Sequence, residues 1–294
     1  MKPDILCAIS LHYYTCVEYN ERTIMNEPKT LTGTCGYDYL DWRETFYPSG
    51  LAREEFLPYY ASQFSAVEIN NSYYQMPQAS RLLAMADRAG PAMQFSVKAN
   101  DSLTHKVDPA LWRDNAKLFR AAIDPLMGRG RLAALLFQFP SSFHYQALNR
   151  TYLDQLLKEF QDYPVAVEFR HSEWVNRRVL DALRLRNVAW TCTDLPDLPK
   201  LPQPADIVTA PLAYVRFHGR NAVAFWGSDA ASRYDYLYGE AELRPWVDRI
   251  RAMERLADRV LVFFNNHRYG QAARNARMLL ALLAASRQSG AVHA

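Results

Sequence analysis

The sequence predicts a soluble, single-domain (β/α)8 barrel, the TIM-barrel fold, with the sixth helix short or replaced by a Pro-rich loop. Three observations support this prediction. Eight short runs rich in β-forming residues alternate with longer segments of helical periodicity, a pattern typical of parallel sheets with helical crossovers. The chain has 294 residues, a length at which one such barrel is ordinary. No repeat, low-complexity tract or flexible linker divides it.

Each of the eight runs is short and bounded by turn-forming or helical sequence. Eight is the number of strands that closes this barrel. The predicted strands are Leu31–Cys35, Ala66–Asn70, Met93–Lys98, Leu132–Phe139, Val165–Arg170, Ala189–Thr193, Ala213–His218 and Val260–Asn265.

Segments with apolar residues at helical spacing lie between most of these strands. The predicted helices are Ala52–Gln63, Ser80–Arg88, Leu111–Met127, Tyr145–Phe160, Glu173–Arg186, Glu240–Leu256 and Gly270–Ala285. The crossover after Asp194 reads LPDLPKLPQPADIVTAP. Its prolines each remove a backbone donor and resist helix formation, so a loop is expected there.

Composition excludes some classes of protein. Apolar residues make up 49% and charged residues 22% of the chain, as in a globular protein with a large core. The net charge of +3 gives no whole-molecule argument for a nucleic-acid or membrane partner. No apolar run is long enough to span a bilayer, and the four cysteines form no metal or disulfide pattern. A cytoplasmic protein is expected.

The domain boundaries follow from the same pattern. Residues 1–28 are expected to be an N-terminal extension, with Met25 as a candidate natural start, because this segment contributes no barrel element. Residues 29–286 form the predicted barrel, and residues 287–294 are expected to be a frayed tail.

Alternation on four strands predicts which side chains face the inside of the barrel. Successive strand residues point to opposite faces, and the face covered by helices must be apolar. Apolar residues such as Val67, Val97 and Phe217 are therefore expected to point outward. The side chains expected to point inward, near the carboxyl ends of the strands, are Glu68, Lys98, Glu168, Arg170, Arg216 and His218.

Two interpretations of this inward cluster are compared. It is either a ligand site or a structural network of ion pairs. Unpaired charges inside a barrel cost several kcal/mol each, so these groups must pair closely or contact ligand and solvent. Because four strands place charges at one level, and because TIM-barrel active sites lie at the carboxyl ends of the strands, a ligand site is favoured.

The loops that follow the strands add candidates for anion binding. GTCGYDYLDW follows the first strand, His218-Gly219-Arg220 the seventh, and Asn265-Asn266-His267-Arg268 the eighth, before a helix that opens near Gly270. Phosphate groups in such barrels commonly bind at the loops after strands seven and eight, helped by free N–H groups at a helix N-terminus.

Several reactions fit such a cluster. Glu68 and Glu168 are the natural acid/base pair, as in a glycosidase, or they are held as scaffolding by Lys98, Arg170 or Arg216; the two interpretations carry equal weight. A divalent metal is an alternative, with Glu68, Glu168, His105, His171, Asp194 and His218 as ligands, but no HxH or HExxH spacing supports it. Motifs for a nucleophilic serine or a nucleotide phosphate are absent.

The motifs GTCGYDYLDWRETFYP, VEINNSYYQMP, FSVKANDSLTH, LLFQFPSSF, VEFRHSEW, YVRFHG and FFNNHRYGQAARNA resemble the YecE-like family of bacterial and archaeal proteins. The resemblance covers roughly Leu31 to Leu283. It implies a TIM barrel of unknown function and these characteristic positions: Gly33, Gly36, Tyr39, Trp42, Glu68, Asn70, Tyr74, Lys98, His105, Gln138, Glu168, Arg170, His171, Trp174, Asp194, Arg216, His218, Gly219, Asn265, Asn266, Gly270 and Asn275. Cys35 stands where many relatives have serine, which argues against an obligatory thiol nucleophile.

These observations favour an enzyme that acts on a small anionic or phosphorylated substrate by acid/base chemistry, as a hydrolase, lyase or isomerase. Alternatives are a nucleic-acid-binding protein or metal-dependent phosphodiesterase, and a non-catalytic ligand-binding protein. No cofactor, fixed metal or membrane partner is predicted, and the oligomeric state is left open. The predicted catalytic residues are Glu68, Glu168, His218, Lys98 and Asp194. The predicted binding residues are Gly36, Trp42, Asn70, Tyr74, His105, Gln138, Arg170, His171, Arg216, Gly219, Asn265, Asn266 and Gly270.

Overall fold

A computed structural model describes residues 29–226 and 230–291. The predicted extension 1–28, including the candidate start at Met25, lies outside the described residues. The division into extension, barrel and tail stays a prediction.

Eight parallel strands form the inner wall of the molecule, in the order β1-β8-β7-β6-β5-β4-β3-β2. Their closure is completed where β1 meets β2: Cys35 pairs with Glu68, and the Gly36 N–H donates to the Glu68 carbonyl at 2.8 Å. The predicted barrel is confirmed. The strands are β1 Thr30–Thr34, β2 Ala66–Ile69, β3 Gln94–Lys98, β4 Leu132–Gln138, β5 Val165–Glu168, β6 Ala189–Asp194, β7 Leu212–Phe217 and β8 Arg259–Phe264.

Gly33 permits the close approach of β1 to β2. A Cβ at this position would lie 1.9 Å from the Ala66 carbonyl oxygen, far closer than a carbon–oxygen van der Waals contact allows. Only glycine therefore fits there without moving one of the two strands.

Apolar side chains fill both sides of the wall. Residues of outward parity, including Val67, Val97, Val167 and Phe217, pack in the large core between sheet and helices. A smaller core inside the barrel contains Leu31, Cys35, Ala66, Ala133, Ala134, Leu136, Ala166, Ala189, Ala210, Tyr214, Leu261 and Phe263. Ser96 also lies inside the barrel, 2.7 Å from Tyr214 Oη. The charged inward residues lie at one end of the barrel, because each occupies one of the last two positions of its strand: Glu68, Lys98, Glu168 and Arg216.

The helices lie close to their predicted positions. They are α1 Phe56–Ala61, α2 Asn71–Tyr74, α3 Ala79–Arg88, α4 Trp112–Gly128, α5 Ala147–Glu159, α6 Arg177–Leu185, α7 Ala230–Arg233, α8 Glu240–Leu256 and α9 Gln271–Ala291. The single-turn helices α2 and α7 were not predicted, because four residues are too few to show a helical period. The helix predicted from Glu173 begins at Arg177, because the Asn176 side chain caps its N-terminus by accepting from Val179 N–H at 3.1 Å.

The sixth crossover is a loop, as predicted. Residues 195–211 are all described and contain neither helix nor strand. The loop is anchored to the barrel: its Leu195 and Leu201 pack against Phe225, and the Ile207 carbonyl accepts from the Cys192 thiol at 3.4 Å.

The last helix extends beyond its predicted end at Ala285. It continues to Ala291. The residues beyond Ala285 contain no proline and include alanine and arginine, which are good helix formers, so the backbone continues the helix already packed on β1 and β8. Among the described residues, no helix combines the length and apolar character needed to cross a membrane.

Candidate active site at the carboxyl ends of the strands

A buried ion network lies inside the carboxyl end of the barrel. Arg216 on β7 donates from Nη2 to Glu68 Oε1 and from Nη1 to Glu168 Oε2, each at 2.6 Å. The second oxygen of each carboxylate is also engaged: Tyr214 Oη donates to Glu68 Oε2 at 2.6 Å, and Arg170 Nε donates to Glu168 Oε1 at 2.5 Å. Glu68, Glu168 and Arg216 are all buried. The predicted inward orientation of these residues is therefore observed.

The electrostatics of Glu168 follow from this network. Burial alone would raise its pKa, but the Arg170 and Arg216 guanidinium groups outweigh burial and hold the pKa of Glu168 well below its usual range. Glu168 is therefore ionised at neutral pH and has no proton to donate. Arg216 also lies between the two carboxylates, in the space that a glycosidase leaves for the sugar.

His218 extends the network towards β8. Its Nε2 lies 3.2 Å from Glu168 Oε1 and from Arg170 Nη2, and the Asn265 amide nitrogen lies 3.1 Å from its Nδ1. Burial, followed by the repulsion of Arg170, lowers the pKa of His218 to about 3. The ring is neutral at physiological pH. With the Asn265 amide donating to Nδ1, its single proton lies on Nε2 and faces Glu168.

Lys98 differs from the arginines of this cluster because no described carboxylate contacts it. Its Nζ lies 4.3 Å from the centre of the Tyr73 ring, and it makes no hydrogen bond or ion pair with any described residue. Burial, and next the charge of Arg216, lower the pKa of Lys98 to about 8, although Glu168 and Glu68 partly oppose this shift. Lys98 is therefore mostly protonated near neutral pH, with a minor fraction of neutral amine.

Two further predicted residues follow β2 and β3 at the carboxyl ends of these strands. His105 packs edge-on against the Tyr73 ring, and its Nδ1 lies 2.9 Å from Thr104 Oγ1. Burial, then Lys98 and Arg170, lower the pKa of His105 to about 4. Asn70 follows β2, and its buried Oδ1 accepts no hydrogen bond from any described residue. His105, whose pKa Lys98 helps to lower, is therefore a neutral neighbour of the amine.

Three other predicted binding residues, Tyr74, Gln138 and Gly36, differ in exposure and in their contacts. Tyr74 is 79% exposed beside Tyr73, where it is free to contact a ligand. Gln138 lies opposite Glu168 in the β4–β5 register and donates to the Phe139 carbonyl at 2.9 Å. Gly36 has a φ of +90°, and a Cβ there would lie 2.7 Å from the Tyr39 hydroxyl.

Asp194 does not lie with this cluster. On β6 it shares the outward parity of Trp190 and Cys192, which pack in the outer core. Its carboxylate accepts two bonds from Arg220, at 2.8 and 2.7 Å, and one from Trp246 Nε1 on α8 at 3.0 Å. Tyr238 Oη donates to it as well. The structure therefore places Asp194 in a second network between sheet and helix, away from Glu68 and Glu168.

The predicted phosphate site after β7 and β8 is occupied by internal contacts. The Asn266 amide donates to the Tyr236 carbonyl and to Asn275, each at 2.8 Å. The Tyr269 N–H donates to an Asp41 carboxylate oxygen at 2.8 Å, so a negative charge already lies there. An anion would have to displace these groups.

Four other predicted binding residues lie outside the ion network. Gly219 has a φ of +84° and donates its N–H to Tyr238 at 2.9 Å, and Gly270 has a φ of +73° in the turn before α9. Trp42 is buried and donates to the His267 carbonyl at 2.5 Å. His171 lies beside Glu173, in the turn after β5. These residues shape the loops around the mouth.

The predicted metal ligands do not converge on one point. Glu68 is bound by Arg216 and Tyr214, Glu168 by Arg216 and Arg170, and Asp194 by Arg220. His171 lies elsewhere, beside Glu173. Sequence reasoning also missed the role of two tyrosines: Tyr214 fixes Glu68, and Tyr73 lies under Lys98. Inward parity on β7 was the available signal for Tyr214, whereas Tyr73 lies in the short α2, which has no periodicity.

Comparison with known proteins agrees with the fold. A family model described as "Protein of unknown function DUF72" matches residues 31–293. The UPF0759 protein YunF of Bacillus subtilis (strain 168) is 28% identical over 255 residues, 82% of this chain and 90% of YunF. The crystal structure of a DUF72 family protein from Thermotoga maritima is similar with a TM-score of 0.80 and 35% identity, over 87% of this chain and 99% of that one. A DUF72 family protein from Enterococcus faecalis gives a TM-score of 0.75 at 26% identity, over 86% and 95% of the two chains.

Proposed function

The chain belongs to the DUF72 family of proteins of unknown function, and from this premise we propose that it is an enzyme acting on a small anionic substrate at the carboxyl end of its barrel. The observation that carries the proposal is Lys98, a largely buried amine at the mouth that makes no ion pair or hydrogen bond with any described residue. The finer assignment to the YecE-like group stays a prediction.

The charges of the mouth support an anionic ligand. The ion network holds two carboxylates, Glu68 and Glu168, and they are engaged by Arg216 and Arg170. Lys98 adds a third positive charge that these carboxylates do not neutralise through any direct contact. Because a buried charge is costly without a partner, a substrate carboxylate or phosphate beside Lys98 would be bound favourably.

The same geometry supports a division of roles. Both oxygens of Glu68 and of Glu168 are hydrogen-bonded, so in this proposal the carboxylates hold Arg216 and Arg170 in position and do not exchange protons. Lys98 is the proton-transfer group, because a pKa near 8 is close to the working pH, where general acid/base catalysis is most efficient. His218 stays neutral and orients Glu168 and Arg170.

Sulfate binding tests the anion part of the proposal. Pairing with sulfate should raise the pKa of Lys98, so binding at pH 8 should take up protons. Isothermal titration calorimetry in buffers of different ionisation enthalpy measures this uptake. Lys98→Met should abolish the proton uptake and weaken binding by about tenfold or more. Lys117→Met, which changes an exposed lysine on α4, is the matched control and should bind sulfate like the wild type.

Turnover requires a separate test. Wild type and Lys98→Met are each incubated with a metabolite extract, and mass spectrometry identifies compounds consumed only by the wild type. Anionic compounds are expected among them. Sulfate binding without any turnover favours the non-catalytic ligand-binding alternative, and salt-sensitive retention on single-stranded DNA favours the nucleic-acid alternative. Absence of sulfate binding, or equal binding by Lys98→Met, contradicts the anionic site itself.

A further inference from the structure

Three potential metal ligands meet outside the ion network. His144 lies in the loop between β4 and α5, and His171 and Glu173 lie in the turn after β5. Glu173 Oε2 is 3.3 Å from His144 Nδ1 and 3.6 Å from His171 Nδ1. The side chains of His144 and Glu173 are about half exposed, whereas the His171 side chain is 8% exposed. The cluster is therefore open to solvent on one side and anchored in the protein on the other.

These distances agree with tetrahedral coordination. Zinc binds imidazole nitrogen at about 2.0–2.1 Å and carboxylate oxygen at about 2.0–2.2 Å, so neighbouring ligand atoms around a tetrahedral ion lie roughly 3.3–3.5 Å apart. Two of the three ligand pairs already have nearly this separation, and all three ligand atoms lie within 4.8 Å of one another. We propose that His144, His171 and Glu173 form a binding site for a divalent transition-metal ion of the zinc type, with its fourth position open to water.

The two segments that carry the ligands are already fixed to each other. Trp174 donates from Nε1 to the Phe143 carbonyl at 2.6 Å, and its ring stacks on the Phe143 ring with a 5.1 Å separation of centroids. The Tyr145 N–H donates to Glu173 Oε2 at 3.1 Å, which orients the carboxylate towards the histidines. Preorganised ligands of this kind reduce the entropy lost on metal binding, and such supporting hydrogen bonds are typical of metal sites.

The ligand atoms already make internal contacts. His171 Nδ1 accepts from the Glu173 N–H at 3.3 Å, and a metal ion bound at this nitrogen would replace that hydrogen bond. Two imidazoles and one carboxylate are a ligand set that suits zinc and leaves one coordination position open. A bound ion would cross-link the loop after β4 to the turn after β5.

Metal titration of the full-length protein tests this proposal independently of Lys98. The protein is freed of metal with a chelator that is then removed, and Co²⁺ is added while visible absorption is recorded. The intense bands of low-coordinate Co²⁺ should appear with one ion per chain and should vanish on addition of Zn²⁺. Zn²⁺ should also raise the Tm of the metal-free protein.

Variants locate the site. His144→Ala and Glu173→Gln should each weaken Co²⁺ binding by at least about tenfold. Both side chains are substantially exposed, so these variants should fold, which circular dichroism checks. Glu240→Gln on α8 makes the same change at an exposed glutamate elsewhere and should leave binding unchanged. If Co²⁺ does not bind, or if His144→Ala and Glu173→Gln bind it like the wild type, the proposal is wrong.

Discussion

Replacing Lys98 with methionine should stabilise the protein near neutral pH, although it removes the group to which we assign catalysis. Folding lowers the pKa of Lys98 from 10.5 to about 8, because burial and the charge of Arg216 disfavour the ammonium form. One pKa unit corresponds to about 1.4 kcal/mol, so protonated Lys98 opposes folding by about 3 kcal/mol at pH 7. Losing the cation–π contact with Tyr73 destabilises the variant by up to about 1–2 kcal/mol, which offsets part of this gain. The net gain expected is about 1–3 kcal/mol.

The pH dependence identifies the cause of this gain. The pKa of Lys98 is lower in the folded protein than in the unfolded chain, so the unfolded chain binds more protons between about pH 8 and pH 10.5. Through this group, the stability of the wild type rises with pH across that window. The advantage of Lys98→Met should therefore be full below pH 8 and should disappear above pH 10.5.

Urea denaturation followed by tryptophan fluorescence measures both effects. Wild type, Lys98→Met and the exposed control Lys117→Met are unfolded at pH 7 and at a pH above 10.5. All other titrating groups are common to the three proteins, so the difference between them isolates one lysine. The reasoning is refuted if Lys98→Met is less stable than the wild type at pH 7, or if their difference does not change with pH.

Three further substitutions probe the networks. Arg216→Met should lower the free energy of unfolding, measured with urea, by about 3–5 kcal/mol, because it leaves two buried carboxylates without their shared cation. The triple variant that also carries Glu68→Gln and Glu168→Gln should recover most of this loss. Gly36→Ala should cost about 1–3 kcal/mol, since alanine is strained at a φ of +90°; an unchanged thermal midpoint would contradict this. Asp194→Asn should lower the free energy of unfolding by about 2–4 kcal/mol, while its sulfate affinity stays within about twofold of the wild type. A loss of sulfate affinity without a loss of stability would show that Asp194 belongs to the active site.

The sequence predicted the barrel and the inward charges because both depend on local patterns. Val67 and Ile69 alternate with Glu68 along β2, so the burial of one face identifies the other. The absence of a helix from the sixth crossover was equally predictable, because each proline restricts its own backbone and removes its own N–H donor, whatever lies elsewhere in the chain. Helix ends were less predictable where a cap decides them, as Asn176 does for α6.

What the sequence did not reveal are contacts between distant segments. β6 reads AWTCTD, whose alternation puts Asp194 on the face of Trp190 and Cys192, but the prediction used only its position at the end of the strand. Its partners Arg220 and Trp246 come from later segments of the chain. His144 is likewise separated from His171 by α5 and β5, and no spacing motif connects them. Such clusters depend on the order of the strands and on the paths of the loops.

The buried carboxylates and the unpaired amine are parts of one arrangement. A free carboxylate at the mouth would pair with Lys98 and hold it protonated. Instead, each oxygen of Glu68 and Glu168 already accepts a hydrogen bond from a neighbouring side chain, and the Arg216 that binds both adds a repulsive charge near the amine. A buried network of this kind contributes little net stability compared with an apolar core. Burial is the largest cause of the lowered pKa of Lys98, and the network adds the repulsion of Arg216 while Glu68 and Glu168, which oppose the shift, stay bound to other side chains. In the function that we propose, an anionic substrate would therefore bring the ion-pair partner that Lys98 lacks.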